Sequence, residues 1–310
     1  MILVAGSANL DFVVRAHHIP APGETVLGQA FKTFAGGKGA NQAVACAKAG
    51  QASTQMLLAV GDDSYATPLL DSLSTVGVGL IEVPAHDQST GCAFICVADD
   101  AENAITVAPG ANLCLQPEHL PALAGFSHLL MQLEIPLATV TAYAKSARAQ
   151  GVQVVLNAAP ARTLPPELLA AVDVLIVNEG ELAALVPYPV SLITNLAQMA
   201  VPCVVVTLGA RGCVARLGNN FFVQAAYAVD AVDTTGAGDT FCGVFTAALA
   251  RGDTLTEAMR QAGAAAALAC TREGAQSSIP TASAVAAFLA SQPEPAVEAI
   301  QALRAYCGLG

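Results

Sequence analysis

Strand-like and helix-like segments take turns along this chain. Short runs of aliphatic and β-branched residues occupy 2–5, 56–60, 128–133, 152–156, 174–177 and 203–208. Ala-rich stretches with helical character occupy 39–49, 65–76, 137–150, 166–171 and 179–185. A helix between two strands acts as a crossover, which leaves the strands parallel and puts helices on both faces of the sheet. From residue 239 the pattern turns helical, over 239–251, 255–270 and 282–289. The expected class is therefore α/β, three layers (α/β/α) around a largely parallel central sheet. At 310 residues and 54% hydrophobic, the chain can bury a substantial core. It contains no internal repeat or low-complexity linker, so residues 1–310 are expected to form a single α/β domain.

Two regions break the alternation. Residues 12–34 and 91–108 hold short strand-like pieces with turn residues, among them Pro20, Pro22-Gly23 and Asp99-Asp100, and no crossover helix. They read as antiparallel strands that leave the main sheet and together form a small β lid.

Composition removes several function classes. The net charge is −11, and the 13 Lys and Arg are scattered without runs, which argues against a nucleic-acid partner. An anionic ligand such as ATP would have to be held by local backbone dipoles, not by the overall field. With only 12% charged residues, an oligomer is expected. Mean hydropathy is +0.55, yet no apolar run reaches the 18 or so residues that a membrane span needs. The apolar start, Met1 to Ala5, lacks a basic leader, so no membrane partner and a cytoplasmic location are expected. The nine Cys are irregularly spaced and include no C-x-x-C pair, and the five His show no ligand spacing. Neither a disulfide framework nor a zinc site is expected.

Polar residues collect where the strands end. Ser7, Asn9 and Asp11 follow the first run, and Gly61-Asp62-Asp63 the second. Glu134, Asn157, the group Asn178, Glu179 and Glu181, and the group Thr207, Gly209 and Gly212 follow the next four. Ligands of open α/β sheets bind outside the carboxyl ends of the strands. Helix capping accounts for some of these residues. It does not account for Glu134.

Two glycine-rich segments carry the sharper signal. Ala35-Gly36-Gly37-Lys38-Gly39-Ala40-Asn41 precedes a helix, where glycines allow close backbone approach and a helix N-terminus favours anions. It is not a Walker A loop, because Lys38 is followed by Gly39; a glycine turn with a solvated lysine is an equally good reading of the segment alone. Asp233-Thr234-Thr235-Gly236-Ala237-Gly238-Asp239 opens another helix. Its successive N–H groups can converge on an anion, and Asp239 can accept a proton from an attacking hydroxyl. Phosphoryl transfer requires an anion cradle, a metal and such a carboxylate. The plain alternative is that Asp239 only complements the helix dipole.

Taken together, the segments resemble the ribokinase-like family of carbohydrate kinases over nearly the whole chain. The likeness lies in Gly6-Ser7-Ala8-Asn9-Leu10-Asp11, Pro22-Gly23-Glu24-Thr25, Gly36 through Ala43, and Asp233 through Asp239, the last two about 200 residues apart. Residues 131–134, 157–162 and 274–276 are most similar to the members that phosphorylate D-ribose at its 5-hydroxyl. The resemblance implies a ribokinase-like α/β/α fold and ATP as co-substrate. It implies Asp239 as general base and Gly236-Ala237-Gly238 as anion hole. Asn9, Asp11, Gly37, Lys38, Asn41, Glu134 and Asp239 would hold the sugar. Asn178 and Glu181 would organise Mg²⁺ through water. Asn178, Thr207, Gly209, Ala210, Arg211, Gly212, Gly238 and Gly263 would line the nucleotide site. K⁺ would sit against Asp233, Thr235, Ala269, Arg272, Gly274 and Ser278, mostly on backbone carbonyls. The lid would close over the sugar and pair with that of a second subunit in a homodimer.

The chain departs from that pattern in two places. Gly263 stands where a polar side chain near adenine is common, and the region around 185–190 is shortened. Other readings remain: a kinase for deoxyribose, fructose, a keto-deoxy sugar acid or a nucleoside, or a catalytically silent binding regulator on the same fold. A dinucleotide-binding dehydrogenase is disfavoured, because no G-x-G-x-x-G follows the first strand.

Overall fold

The computed structural model describes residues 1–100, 102–186, 190–293 and 296–309. The N-terminal part comprises β1 (Ile2–Ala5), β2 (Asn9–Arg15), β3 (Ala30–Gly36) and α1 (Lys38–Val44), which continues as a π-helical turn over Ala45–Ala49. Next come β4 (Thr54–Gly61), α2 (Ala66–Thr75), β5 (Gly79–Ala85), β6 (Gly91–Val97) and β7 (Asn103–Ala108). The middle of the chain supplies β8 (His128–Met131), α3 (Leu137–Ala149), β9 (Gln153–Asn157), α4 (Pro166–Leu169), β10 (Val174–Asn178), α5 (Glu179–Leu185) and α6 (Leu192–Gln198). It ends with β11 (Cys203–Thr207), β12 (Gly212–Leu217), β13 (Asn220–Ala225), α7 (Ala237–Arg251), α8 (Leu255–Ala269), α9 (Ala282–Ser291) and α10 (Val297–Cys307).

Nine strands form the main sheet in the order β13-β12-β11-β10-β9-β8-β1-β4-β5. From β11 across to β5 every neighbouring pair is parallel, while β12 and β13 add an antiparallel edge. The central strands are apolar throughout because both faces are covered. Alternate residues divide between two cores. Ile2, Val4, Met56 and Leu58 pack with α1, α2, α7, α8 and α9, and Leu3, Ala5, Leu57 and Ala59 pack with α3, α4, α6 and α10.

The lid is a separate sheet in the order β3-β2-β6-β7. Its outer pairs, β2 with β3 and β6 with β7, are antiparallel as expected, but its central pair, β2 with β6, is parallel. The crossover through β4 and α2 returns the chain to β2 in the same direction, and that sets the parallel pairing. Strands β5, β12 and β13 and helices α6 and α10 were not anticipated from the sequence. Of the shortened region, α5 ends at Leu185, and residues 187–189 lie outside the described residues. All nine cysteines are free. No helix among the described residues is long and apolar enough to cross a membrane.

Candidate active site

The strand order reverses at β1, with β4 on one side and β8 on the other, and this is where open α/β sheets build their clefts. Immediately after β1, the fully buried Ser7 donates from Oγ to Glu134 Oε2 at 2.5 Å. The Lys38 backbone N–H donates to the same oxygen at 3.1 Å, and the Ala40 N–H to the Ser7 carbonyl at 2.9 Å. Glu134 therefore anchors the N-terminus of α1 against the exit of β1. Gly37 makes the close approach feasible: its φ is +86°, and a Cβ there would lie 2.7 Å from the Asn9 nitrogen.

Asn9 and Asp11 stand at the root of β2, where the main sheet hands over to the lid. Asn112, from the turn after β7, is buried and donates from Nδ2 to Asn9 Oδ1 at 2.8 Å while its Oδ1 accepts from the Ala8 N–H at 2.9 Å. This fixes the Asn9 amide with its NH₂ group free to donate.

At the other wall, α7 starts from Gly236, whose φ of +74° is left-handed and which has no side chain to cap the helix. The helix begins at Ala237, two residues earlier than the sequence reading placed it. The N–H groups of Gly238 and Asp239 thus belong to a first turn with no carbonyl of their own helix to bond. Asp239 is buried. Its Oδ2 accepts from Asn41 Nδ2 at 2.9 Å and its Oδ1 from Gln42 Nε2 at 2.9 Å.

Two cavities lie in this region, and the carboxylate lines the smaller. One, of about 150 Å³, is lined by Lys38, Asn157, Asn178, Glu181, Thr207, Gly236, Gly238 and Asp239, among others. The other, of about 400 Å³, lies under the lid between Asp11, Phe34, Ile95 and Ile105 on one side and Asp233, Thr234, Thr235 and Gly274 on the other. Arg15 and Lys32 of the lid reach Glu273 of the body at 3.4 and 3.0 Å along its rim.

The electrostatics of the cleft are those of crowded carboxylates around one lysine. Burial, then the charges of Glu134 and Asp239, push Asp11 up to about 7. Burial and Asp239 likewise raise Glu181, against the Asn178 N–H and Lys38. Asp239 foremost, with Glu134 and Glu181, holds the Lys38 ammonium above its ordinary range despite burial.

The remaining sequence candidates divide. Asn178 and Glu181 cap α5 reciprocally: Asn178 N–H donates to Glu181 Oε2 and Glu181 N–H to Asn178 Oδ1, both at 2.8 Å. Both still line the smaller cavity, as does Thr207. Gly209, Ala210, Arg211, Gly212 and Gly263 do not line it. Arg211 lies 3.8 Å from Glu179. Gly263 is half-buried, and a Cβ there would make ordinary contacts with Tyr227 at 3.8 Å and Gln224 at 3.9 Å.

Asp233 Oδ1 accepts from the Thr235 N–H and its Oδ2 from the Gly274 N–H, both at 2.9 Å, joining 233–235 to the loop after α8. Burial opposes ionisation of Asp233, but its bonds from Thr235 and Gly274 win and hold it below the usual carboxylate range. Arg272 N–H donates to the Ala269 carbonyl at 3.3 Å, and the buried Ser278 donates from Oγ to the Ala275 carbonyl at 2.8 Å. Gln42 and Asn112 were missed as site residues. Gln42 follows Asn41 in the glycine-rich segment, and a Gln among alanines at a helix start was the available signal. Asn112 offered only an asparagine in a turn.

Over residues 1–282 the sequence matches the profile of the pfkB family carbohydrate kinases. The chain belongs to that family. A ribokinase of Haemophilus influenzae is 39% identical over 301 residues, covering 93% of this chain and 98% of the relative. The crystal structure of a ribokinase from Thermotoga maritima is 37% identical with a TM-score of 0.86, covering 94% of this chain and 99% of that one. The Arabidopsis thaliana ribokinase complexed with ribose and ATP is 31% identical with a TM-score of 0.87, again over 94% and 99% of the two chains. The pfkB match ends at residue 282, so α10 lies beyond it.

Proposed function

We propose that this chain phosphorylates D-ribose at O5, using ATP and yielding ribose 5-phosphate and ADP. The observation that carries the reading is Asp239, a buried carboxylate in the first turn of α7 that lines the cavity reaching Asn178 and Thr207 and whose charge acts on Asp11, which lines the cavity beneath the lid. A carboxylate there can take the proton of a hydroxyl bound on the lid side, while a phosphoryl group arrives from the other side. The relatives named above as ribokinases support the same substrate.

In this reading Asn9, Asp11, Gly37, Lys38, Asn41 and Glu134 orient the sugar. A polyol needs paired donors and acceptors to be distinguished from water, and the fixed Asn9 amide supplies a donor of defined direction. Gly236, Ala237 and Gly238 present N–H groups to the transferring phosphoryl oxygens, where charge grows in the transition state. The sugar O–H bond breaks toward Asp239 as the oxygen forms its bond to phosphorus. Thr207 and the turn from Gly209 to Gly212 take the nucleotide, with Gly263 on the adenine side. Lid closure excludes water and so limits transfer to water.

Glu181 fits a Mg²⁺ role: it is a carboxylate disfavoured by burial, with one oxygen spent on capping, beside the phosphate cavity. Held through water by Glu181 and Asn178, Mg²⁺ would neutralise phosphate charge. The 233–235 and 269–278 segments, drawn together through Asp233, fit K⁺ held by backbone carbonyls, with Thr235, Ala269, Arg272, Gly274 and Ser278 nearest. The reading extends to one catalytic unit over 1–310 and a cytoplasmic homodimer. The exposed Phe31, Phe94, Ile105 and Val107 on the lid would supply its apolar contact.

ADP release across a panel of sugars and nucleosides, with and without K⁺, tests the proposal. Turnover is expected with ribose and to rise with K⁺. Turnover confined to deoxyribose, fructose, a keto-deoxy sugar acid or a nucleoside would move the substrate and keep the kinase. No ADP release with any acceptor would leave a binding protein.

A further inference from the structure

Gln42 is fully buried, and its amide has only one workable orientation. The chain of constraint begins at the backbone carbonyl of Ile176, which can only accept. Asn157 turns Nδ2 to it at 3.1 Å and so presents Oδ1 to Gln42. Gln42 meets that oxygen with Nε2 at 3.0 Å and places the second hydrogen of the same nitrogen on Asp239 Oδ1 at 2.9 Å. Its Oε1 accepts from Gln132 Nε2 at 2.6 Å. Turning the Gln42 amide over would set oxygen against oxygen at both Asn157 and Asp239.

Asn41, on the other oxygen of the carboxylate, is not locked in this way. Its Nδ2 donates to Asp239 Oδ2 at 2.9 Å, and its buried Oδ1 has no partner.

We infer that Gln42 is the positioning residue of the base: it holds Asp239 through Oδ1 with a donor that cannot reverse, and leaves Oδ2, shared with Asn41, to take the substrate proton. The inference rests on the reading of Asp239 as general base. As the sugar O–H bond breaks, the Asp239 Oδ2–H bond forms, the oxygen's electron pair goes to the γ-phosphorus of ATP, and the bond from that phosphorus to the ADP oxygen breaks with its electrons leaving on ADP. Rotation of the Asn41 amide then offers Oδ1 to the new O–H. The plain alternative is that four buried amides merely tie α1, α7 and two strand ends together.

The test is Gln42→Met in the wild-type and Asp239→Asn backgrounds, with kcat, both KM values and thermal melting measured for each. In the wild-type background kcat is expected to fall about 10- to 100-fold, as for a displaced reacting group, with both KM values little changed. In the Asp239→Asn background the same substitution should cost nothing further, because Gln42 acts only through that carboxylate. Equal losses in both backgrounds, or full kcat in Gln42→Met, overturn the inference.

Gln42→Glu sets a carboxylate against Oδ1 and should move the acidic limb of kcat/KM to higher pH. Lys38, Asp11, Glu134 and Glu181 stay in place in both proteins, so an unmoved limb also counts against the role. Should Gln42→Met fail to fold, Gln132→Met loosens Gln42 from one step away, and a smaller kcat loss is expected; no loss overturns the relay. Near-normal turnover in Asp239→Asn alone would instead sink the base assignment. An inactive Asp239→Asn beside a fully active Gln42→Met would sink only this inference.

Discussion

Arg211 lays its guanidinium over the ring of Tyr306, 4.2 Å from the centroid. The Tyr306 hydroxyl meanwhile donates to Glu179 Oε1 at 2.6 Å. One side chain of α10 thus connects the turn after β11 to the start of α5, two segments assigned here to the nucleotide. The helix that makes this tie, α10, lies beyond the stretch matched to the family profile. Tyr306→Ala should raise KM for ATP several-fold through loss of the stacked cation and the hydrogen bond. KM for ribose and kcat should hold, and steady-state kinetics with each substrate varied will show whether they do.

Replacing Asp239 with Asn keeps its shape and removes its basicity. General-base catalysis contributes typically about 10²- to 10⁴-fold, so kcat should fall by that order while the melting temperature holds. Turnover near the wild-type rate would remove Asp239 from the chemistry.

Gly37→Ala puts a methyl group 2.7 Å from the Asn9 nitrogen and 2.8 Å from the Ala8 Cα, at a φ of +86°. Backbone strain of this kind costs about 1–3 kcal/mol. Either the turn opens, or β2 shifts with Asn9 on it. Urea denaturation should register the loss, and KM for ribose should rise with it while KM for ATP stays.

Asp11 gives the protein a pH dependence whose sign can be worked out. Its ordinary value is 3.8, and burial followed by Glu134 and Asp239 brings it to about 7 in the fold. Between those values the native state keeps a proton that the unfolded chain has released. Stability from this group is therefore complete below 3.8 and is lost as pH rises through about 7. Denaturation midpoints across that window should decline with pH, and Asp11→Asn should flatten the slope. An unchanged slope in the variant would place the dependence elsewhere.

The parts of the fold that could be read from sequence are those whose residues face one kind of environment. Strands β1, β8, β10 and β11 are apolar on both faces, and each was visible as a run. Strand β5 escaped because it is an edge, with Glu82 exposed in its middle and Pro84 next to its end. The β12–β13 hairpin escaped although Gly218-Asn219 is a recognisable turn, since Arg216 and Gln224 interrupt its apolar pattern. In the site, Asn41, Glu134 and Asp239 could be named because they sit in glycine-rich segments or at strand ends. Gln42 could not, because an amide next to alanines announces burial without saying what it is buried against. Only the pairing across the fold gave it Asp239.

That pairing also bears on when the protein becomes competent during synthesis. Asn41 and Asp239 are 198 residues apart, and Gln42 and Asn157 are 115 apart. Until residue 239 has emerged, the amides of Asn41 and Gln42 have no carboxylate to meet, so an N-terminal fragment must leave them hydrated or unsatisfied. Contacts of such separation close late, after the loop-closure entropy of the whole chain has been overcome. Phosphotransfer should therefore be the last native property to appear on refolding, trailing helix content and core burial, and its lag would time the arrival of α7 against α1.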